Sequence, residues 1–198
     1  MYRQDTDTIM LGSGEIFSAE YDGTIPSDPE ELIKTADFVG AIKGGCTFEY
    51  KPSFTNEVDD SGKYEKSIMT EDEATLKLGL ITFNGDTIAS LNACSTTKEV
   101  GNYRITDIGG AENYTDKSRI FIFRHTDKKD GNVYLIVYGE NQAGFSLAWA
   151  KDKGTTIEPE IKCKPMQGGV RVRYIEQISD SAEPTSVSDE NPDEEAQG

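Results

Sequence analysis

Residues 118–163 constrain the fold more than any other stretch, because they alternate as strands with apolar side chains on both faces. In SRIFIFRH (118–125), Ile120 and Ile122 alternate with Phe121 and Phe123. In NVYLIVYGE (132–140), Val133, Leu135 and Val137 alternate with Tyr134, Ile136 and Tyr138. β-Branched and aromatic residues at this density suit a pleated strand covered on both sides. Asp130-Gly131 between the two runs supplies the positive-φ residue of a tight hairpin. GFSLAWA (144–150) alternates Phe145, Leu147 and Trp149 with smaller residues, and TIEPEIKCK (156–164) opposes Ile157, Ile161 and Cys163 to Glu158, Glu160, Lys162 and Lys164. Four consecutive strands of an antiparallel sheet are predicted.

The flanking sequence adds strands and two short helices. EIFSAEY (15–21), FVGAIKGGCTFEYK (38–51), ATLKLGLITF (74–83), YRITDI (103–108) and GGVRVRYIEQI (168–178) all have strand character. Gly44-Gly45 marks a bulge or a close backbone approach. SDPEELIKTADF (27–38) predicts a short helix opened by a Ser27/Glu30 capping box, with Pro29 in its first turn. NGDTIASLNACS (84–95) predicts a second, capped by Asp86 or Thr87 and burying Ile88, Leu91 and Cys94. The fold class is therefore mainly β: an antiparallel β-sandwich or open barrel with one or two short flanking helices. The expected division is an N-terminal arm (1–14), a folded domain (15–177) and an acidic tail (178–198). Within the domain, residues 51–72 are polar and lack a clear period, so they read as a long loop; loops of that length tend to be functional.

Charge narrows the function classes. The 198 residues carry 20 Lys and Arg against 36 Asp and Glu, a formal net charge of −16. Seven of the acids lie in 178–198, which has no Lys or Arg, so residues 1–177 still carry −9. The tail has almost nothing to bury and is expected to be disordered. An acidic body argues against ordinary binding to a phosphate backbone, which needs Lys and Arg to displace counterions. It does not argue against a passage through which nucleic acid slides without sticking. Cys46, Cys94 and Cys163 are widely spaced and form no C-x-x-C pair, which suits small apolar fillers in a reducing compartment. No apolar run approaches a membrane span, and no signal peptide is legible, so a soluble product made in the cytoplasm is expected.

Catalytic patterns are missing. Gly12-Ser13-Gly14 is followed by strand character rather than a helix, so it reads as a turn and not a phosphate loop. His125 is the one histidine; at a strand end, it reads as a surface or packing residue. Asp127 and Asp130 faintly echo a calcium loop without its alternating acids, so a hairpin turn is the better reading. Arg171 and Arg173, with Lys162 and Lys164 nearby in sequence, are expected on a solvated strand face or in salt bridges between subunits. No catalytic, cofactor-binding or metal-binding residue is assigned.

The order of four stretches resembles the major tail tube proteins of long-tailed bacteriophages, especially the type found in phages of Gram-positive bacteria. These are LGSGEIFSAEYDGTIP leading to DFVGAIKGGCTFEYKP; EATLKLGLITFNGDTIASL; RIFIFRH with NVYLIVYGENQAGFSLAWAKDKGTTIEPEIKCKP; and GGVRVRYIEQI. Together they span about residues 11–177, and the likeness lies in their order and spacing. The resemblance implies a tail-tube fold, six-membered rings stacked into a hollow tube, and no turnover chemistry. It implies that the 51–72 segment, with Phe54, Asp59, Asp60, Tyr64 and Ile68, reaches between subunits or rings, as do the N-terminal arm and part of the C-terminal end. Glu158 and Glu160 are candidates to face a lumen through which double-stranded DNA passes without sequence-specific binding. Implied partners are copies of itself, the tape-measure protein, and tail-tip and terminator proteins; the implied location is the virion tail, after synthesis in the host cytoplasm. The competing expectation is a monomeric β-sandwich adhesion or carbohydrate-binding module whose aromatic platform would be Tyr134, Tyr138 and Trp149.

Overall fold

The structure is a computed structural model, which describes residues 14–25, 27–127, 131–147, 149, 151–152 and 154–178. The N-terminal arm before Gly14 and the acidic tail beyond Ile178 lie outside the described residues. Nine strands are assigned among the described residues: β1 (Glu15–Ala19), β2 (Asp37–Val58), β3 (Glu65–Leu80), β4 (Ser95–Val100), β5 (Tyr103–Ile108), β6 (Arg119–Asp127), β7 (Gly131–Asn141), β8 (Glu160–Lys164) and β9 (Val172–Glu176). Two short helices, α1 (Pro29–Thr35) and α2 (Gly85–Leu91), complete the set with two 3-10 turns. The mainly β, antiparallel class expected from the sequence is what the chain adopts.

Six strands pair in a closed ring, β6-β1-β2-β3-β8-β7, because β6 and β7 also pair with each other from Arg119↔Gly139 to Asp127↔Gly131. The other edge of β7 is shared: β8 takes Tyr138–Asn141 and β9 takes Val133–Val137. This closure explains why the central strands are apolar on both faces. Their inward residues, among them Phe121, Val137, Ile16, Leu76 and Ile161, form the barrel core. Their outward residues Ile120, Ile122 and Ile136, with Phe17, form a second cluster under Leu32 and Ile33 of α1.

Both helices are capped by a residue other than the sequence reading assigns. Asp28, not Ser27, caps α1, its carboxylate accepting from the Glu30 amide at 2.9 Å. Asn84, not Asp86 or Thr87, caps α2, accepting from both the Asp86 and Thr87 amides at 2.9 Å. That earlier start turns Thr87 and Leu91, four residues apart on one face, into the buried stripe, while Ile88 and Cys94 are only half-buried. Glu30 then ties α1 to the barrel. It accepts from the Tyr134 hydroxyl at 2.6 Å and from Arg124, which also reaches Glu15 at 2.7 Å.

Two further expectations change. Residues 51–72 are not a loop: β2 and β3 run through them as a paired ribbon, turning only between Val58 and Glu65. Opposed pairs such as Lys51↔Glu73 and Glu57↔Lys66 hold a ribbon that has no apolar period on that face. GFSLAWA, conversely, is not a strand in its described residues. Phe145 and Leu147 do pack on the core, but β8 and β9 already occupy the edge of β7, the strand that leads into this segment. Gly44 and Gly45, at φ +91° and +106°, form the expected bulge, with the register slipping between Ile42 and Cys46.

Phe121 is 1% exposed at the centre of the core. Phe121→Ala is expected to lower the unfolding free energy by about 3–5 kcal/mol, read as a reduced urea midpoint. A loss below about 1 kcal/mol would show that the barrel interior is not the main core.

Candidate functional site

The feature that does not close on itself is the β2–β3 ribbon. From Lys51 and Glu73 outward the two strands pair only with each other. Eight residues of β2, Lys51–Val58, carry it roughly 25 Å from the barrel at about 3.3 Å per residue. Both outer edges offer unpaired backbone groups. Pro52 is tolerated because β2 has one partner there instead of two.

The ribbon's two faces differ. Directly opposed residues of antiparallel strands share a face. One face therefore carries Tyr50, Phe54, Val58 and Met69, the last opposite Phe54, and prolongs the interior face of Phe48 and Leu76. Inside the barrel such residues meet an opposite wall; beyond Ala74 there is none, and Phe54, Val58 and Met69 are 59%, 56% and 54% exposed. The opposite face carries Lys51, Thr55 and Glu57 against Glu73, Ile68 and Lys66. Thr70 is the extra residue of a bulge between Ser53 and Phe54, and its hydroxyl donates to the Ser53 carbonyl at 3.3 Å.

Asp59 organises the tip. Its carboxylate accepts from the Ser61 hydroxyl, from the Tyr64 amide at 2.7 Å and from the Ser61 amide at 3.2 Å. The Ser61 hydroxyl first, then the Tyr64 amide, hold this carboxyl below the usual carboxylate range. Asp60 is an exposed neighbour in the same turn, and Tyr64, whose carbonyl accepts from the Asp59 amide at 3.1 Å, is exposed as well. At the ribbon base, Arg171 donates to Asp72 at 2.8 and 3.0 Å and to the Cys163 carbonyl at 3.2 Å. Arg171 is thus an intramolecular clamp, and Arg173 likewise donates to the Ile25 carbonyl at 3.2 Å; neither presents a free basic strand face.

The five ribbon candidates gather on one projection: Phe54 on its apolar face, Ile68 on the other, and Asp59, Asp60 and Tyr64 at its tip. The sequence reading missed Tyr50, Val58 and Met69. Their signal was the even-numbered run Phe48, Tyr50, Phe54, Val58, which Pro52 and Asn56 interrupt. Also missed was β4 and, with it, the outer face of the β4–β5 hairpin, where Val100, Tyr103 and Ile105 are exposed.

Glu158 and Glu160 lie on the outer barrel surface beside Lys77, Lys43 and Thr47. Glu160 is 3.2 Å from Lys77, Lys162 is 3.8 Å from Glu73, and Lys51 is 2.8 Å from Glu49. The surface is an alternating ladder of charges instead of a purely acidic wall. His125 is buried, as a packing residue, at one end of the barrel. Among the described residues, no group of three or more His, Cys, Asp or Glu is arranged to hold a metal, and no helix is long and apolar enough to cross a membrane. Tyr134 is buried against Glu30, Tyr138 stacks on Tyr21 at 4.7 Å, and only Trp149 is exposed, so the three form no aromatic platform. Neither the models of known protein families nor the curated proteins yield a match to the chain.

Because the folded Asp59 carboxyl titrates below its unfolded value, the turn's stabilisation is present above that value and is lost as pH falls through the folded one. The Tyr64 amide chemical shift is expected to stay constant through the ordinary Asp midpoint of ~3.9 and to move only at lower pH. Asp59→Asn removes that step; a wild-type step at the ordinary midpoint would show that the turn does not hold the carboxylate.

Proposed function

We propose that this chain is a structural virion protein, the major subunit of a phage tail tube, assembling as stacked rings around a channel for DNA. The single observation that carries the reading is the β2–β3 ribbon, an edge-exposed projection whose apolar face continues the barrel interior into solvent. Apolar area left in water forgoes about 25 cal/mol per Å², and open strand edges invite pairing with another chain. A ring of identical copies answers both, since each ribbon is covered by its neighbour through a head-to-tail contact that closes by rotation. The resemblance in strand order supports six copies per ring.

The ladder around Glu158 and Glu160 is the proposed lumen face. Alternating charges on a body of −9 over residues 1–177 give a phosphate backbone no continuous cationic track to adhere to. The tape-measure protein, tail-tip and terminator proteins are the proposed partners besides further copies of the chain, and the virion tail is the proposed location. No turnover chemistry is assigned.

The test is electron microscopy of the purified protein alone and with tail-tip complex, alongside a Phe54→Asp/Met69→Asp double variant. The wild type is expected to form rings or tubes. Both substitutions lie on the exposed ribbon, so the variant should unfold within about 0.5 kcal/mol of the wild type per site while assembling at least tenfold less. Deleting residues 53–70 is expected to leave a folded monomer that does not elongate. Wild-type protein that stays monomeric with tail-tip complex, or variants that build tubes of normal length, would overturn the reading.

A further inference from the structure

A polar cleft of about 480 Å³ lies between α2 and the end of the barrel where β1 finishes. Its position follows from strand alternation. Ile16 and Phe121 belong to the core, and Ser18, two residues beyond Ile16, stands opposite both Phe121 of β6 and Asp37 of β2. Opposed residues share a face and side chains repeat every two residues. Ser18, Asp37 and Arg119 of β6 therefore extend the inward face by one polar layer. α2 lies over this layer: the Thr87 hydroxyl donates to the Val39 carbonyl at 3.3 Å, and the Ser90 hydroxyl to the Thr87 carbonyl at 2.9 Å. These five polar side chains all line the cleft, together with Asn84 and Phe38.

Two polar atoms of the layer have no partner in the chain. Ser18 is 1% exposed, yet its hydroxyl makes no hydrogen bond, and neither does the buried Nε of Arg119. Groups of this kind are satisfied by a bound molecule or by water, and the rest of the cleft says which molecule fits. Arg119 is already paired with Asp37 at 2.8 Å, and Asp86 with Arg104 at 3.0 Å, so neither an anion nor a cation meets an unbalanced charge. Donors and acceptors alternate over a short span instead: the Ser18 and Ser90 hydroxyls, the Asp37 carboxylate and the Asn84 amide. A ligand hydroxyl, which donates and accepts at one atom, suits such a surface. Phe38, 54% exposed, adds a flat apolar side for the C–H face of a sugar ring. The volume falls within the roughly 300–1,000 Å³ of small-molecule sites. A second cleft shares Ser90 and Arg119 and adds the hydroxyls of Thr96, Thr97 and Thr115. We propose that the cleft beneath α2 binds a neutral oligosaccharide, Ser18, Asp37 and Arg119 holding the hydroxyls of one sugar unit beside Phe38. The site uses no ribbon residue, so it stands apart from the assembly reading.

The test is ligand-observed saturation-transfer NMR on the full-length protein, which reads binding whether the chain is a single subunit or an assembly. The probes are maltotriose, cellotriose and chitotriose, with inorganic phosphate as the anion. At least one trisaccharide is expected to receive saturation and to reach half-maximal signal at millimolar concentration. Ser18→Ala and Asp37→Asn are each expected to raise that concentration at least about fivefold, the worth of one hydrogen bond. Both variants should keep the wild-type urea midpoint, because the Ser18 hydroxyl has no partner to lose and Asp37 is exposed. No transfer to any of the three sugars overturns the proposal, as does binding that neither substitution weakens. Phosphate that displaces the bound sugar would mark an anion site and overturn the choice of a neutral ligand. A Ser18→Ala protein with a lowered urea midpoint would mean that the hydroxyl is bonded within the chain, which also overturns it.

Discussion

The pairing of β6 with β7 is the constraint on which the rest of the molecule depends. Each of these strands has a partner on both edges and apolar side chains on both faces, so they have to be covered from four directions. Pairing covers the edges: β1 on the far side of β6, β8 and β9 on the far side of β7. The inward faces meet across the barrel, and α1 covers much of the outward faces. Antiparallel sheets usually leave one face to water; here a helix of seven residues suffices because only Ile120, Ile122, Ile136 and Phe17 require cover.

Polar contacts then hold the pieces in register where apolar contacts cannot. Glu30 is the acceptor for both Tyr134 and Arg124, and Arg124 lies over the Phe17 ring at 5.0 Å while reaching Glu15. One carboxylate therefore links α1 to β6 and β7, and one guanidinium links β6 to β1. Lys117 acts similarly under α2, donating to the Ala89 and Ser95 carbonyls at 2.7 Å each. Asp72 and Arg171 tie the ribbon base to the β8–β9 connection, so the projection leaves the barrel in a defined direction.

The ribbon shows what happens when a barrel pattern outruns its barrel. β2 and β3 keep alternating past Ala74, but β1 has ended and β8 is short, so the same apolar face becomes a surface. Function in this reading arises from an incomplete burial that another copy completes. That requires no reactive group.

Strand identity was legible for β1, β2, the inner half of β3, β5, β6, β7, β8 and β9 because two-residue alternation reflects which side chains need cover, a property local to each segment. The Gly44-Gly45 bulge was legible for the same local reason. Cap positions were missed by one to three residues, since Ser27, Asp28, Asn84, Asp86 and Thr87 are all chemically able to cap and only the packing of the helix decides which does. GFSLAWA alternates as well as any strand, but the β7 edge beside it is already taken by β8 and β9, and residues 51–72 hardly alternate yet pair on both sides of the turn between Val58 and Glu65. Whether a backbone finds a ladder depends on which edges other segments have already taken, and no local pattern contains that information. The exposure of Phe54, Val58 and Met69 belongs to the same class of fact: the side chains are written in the sequence, but the missing wall opposite them exists only once the barrel has closed.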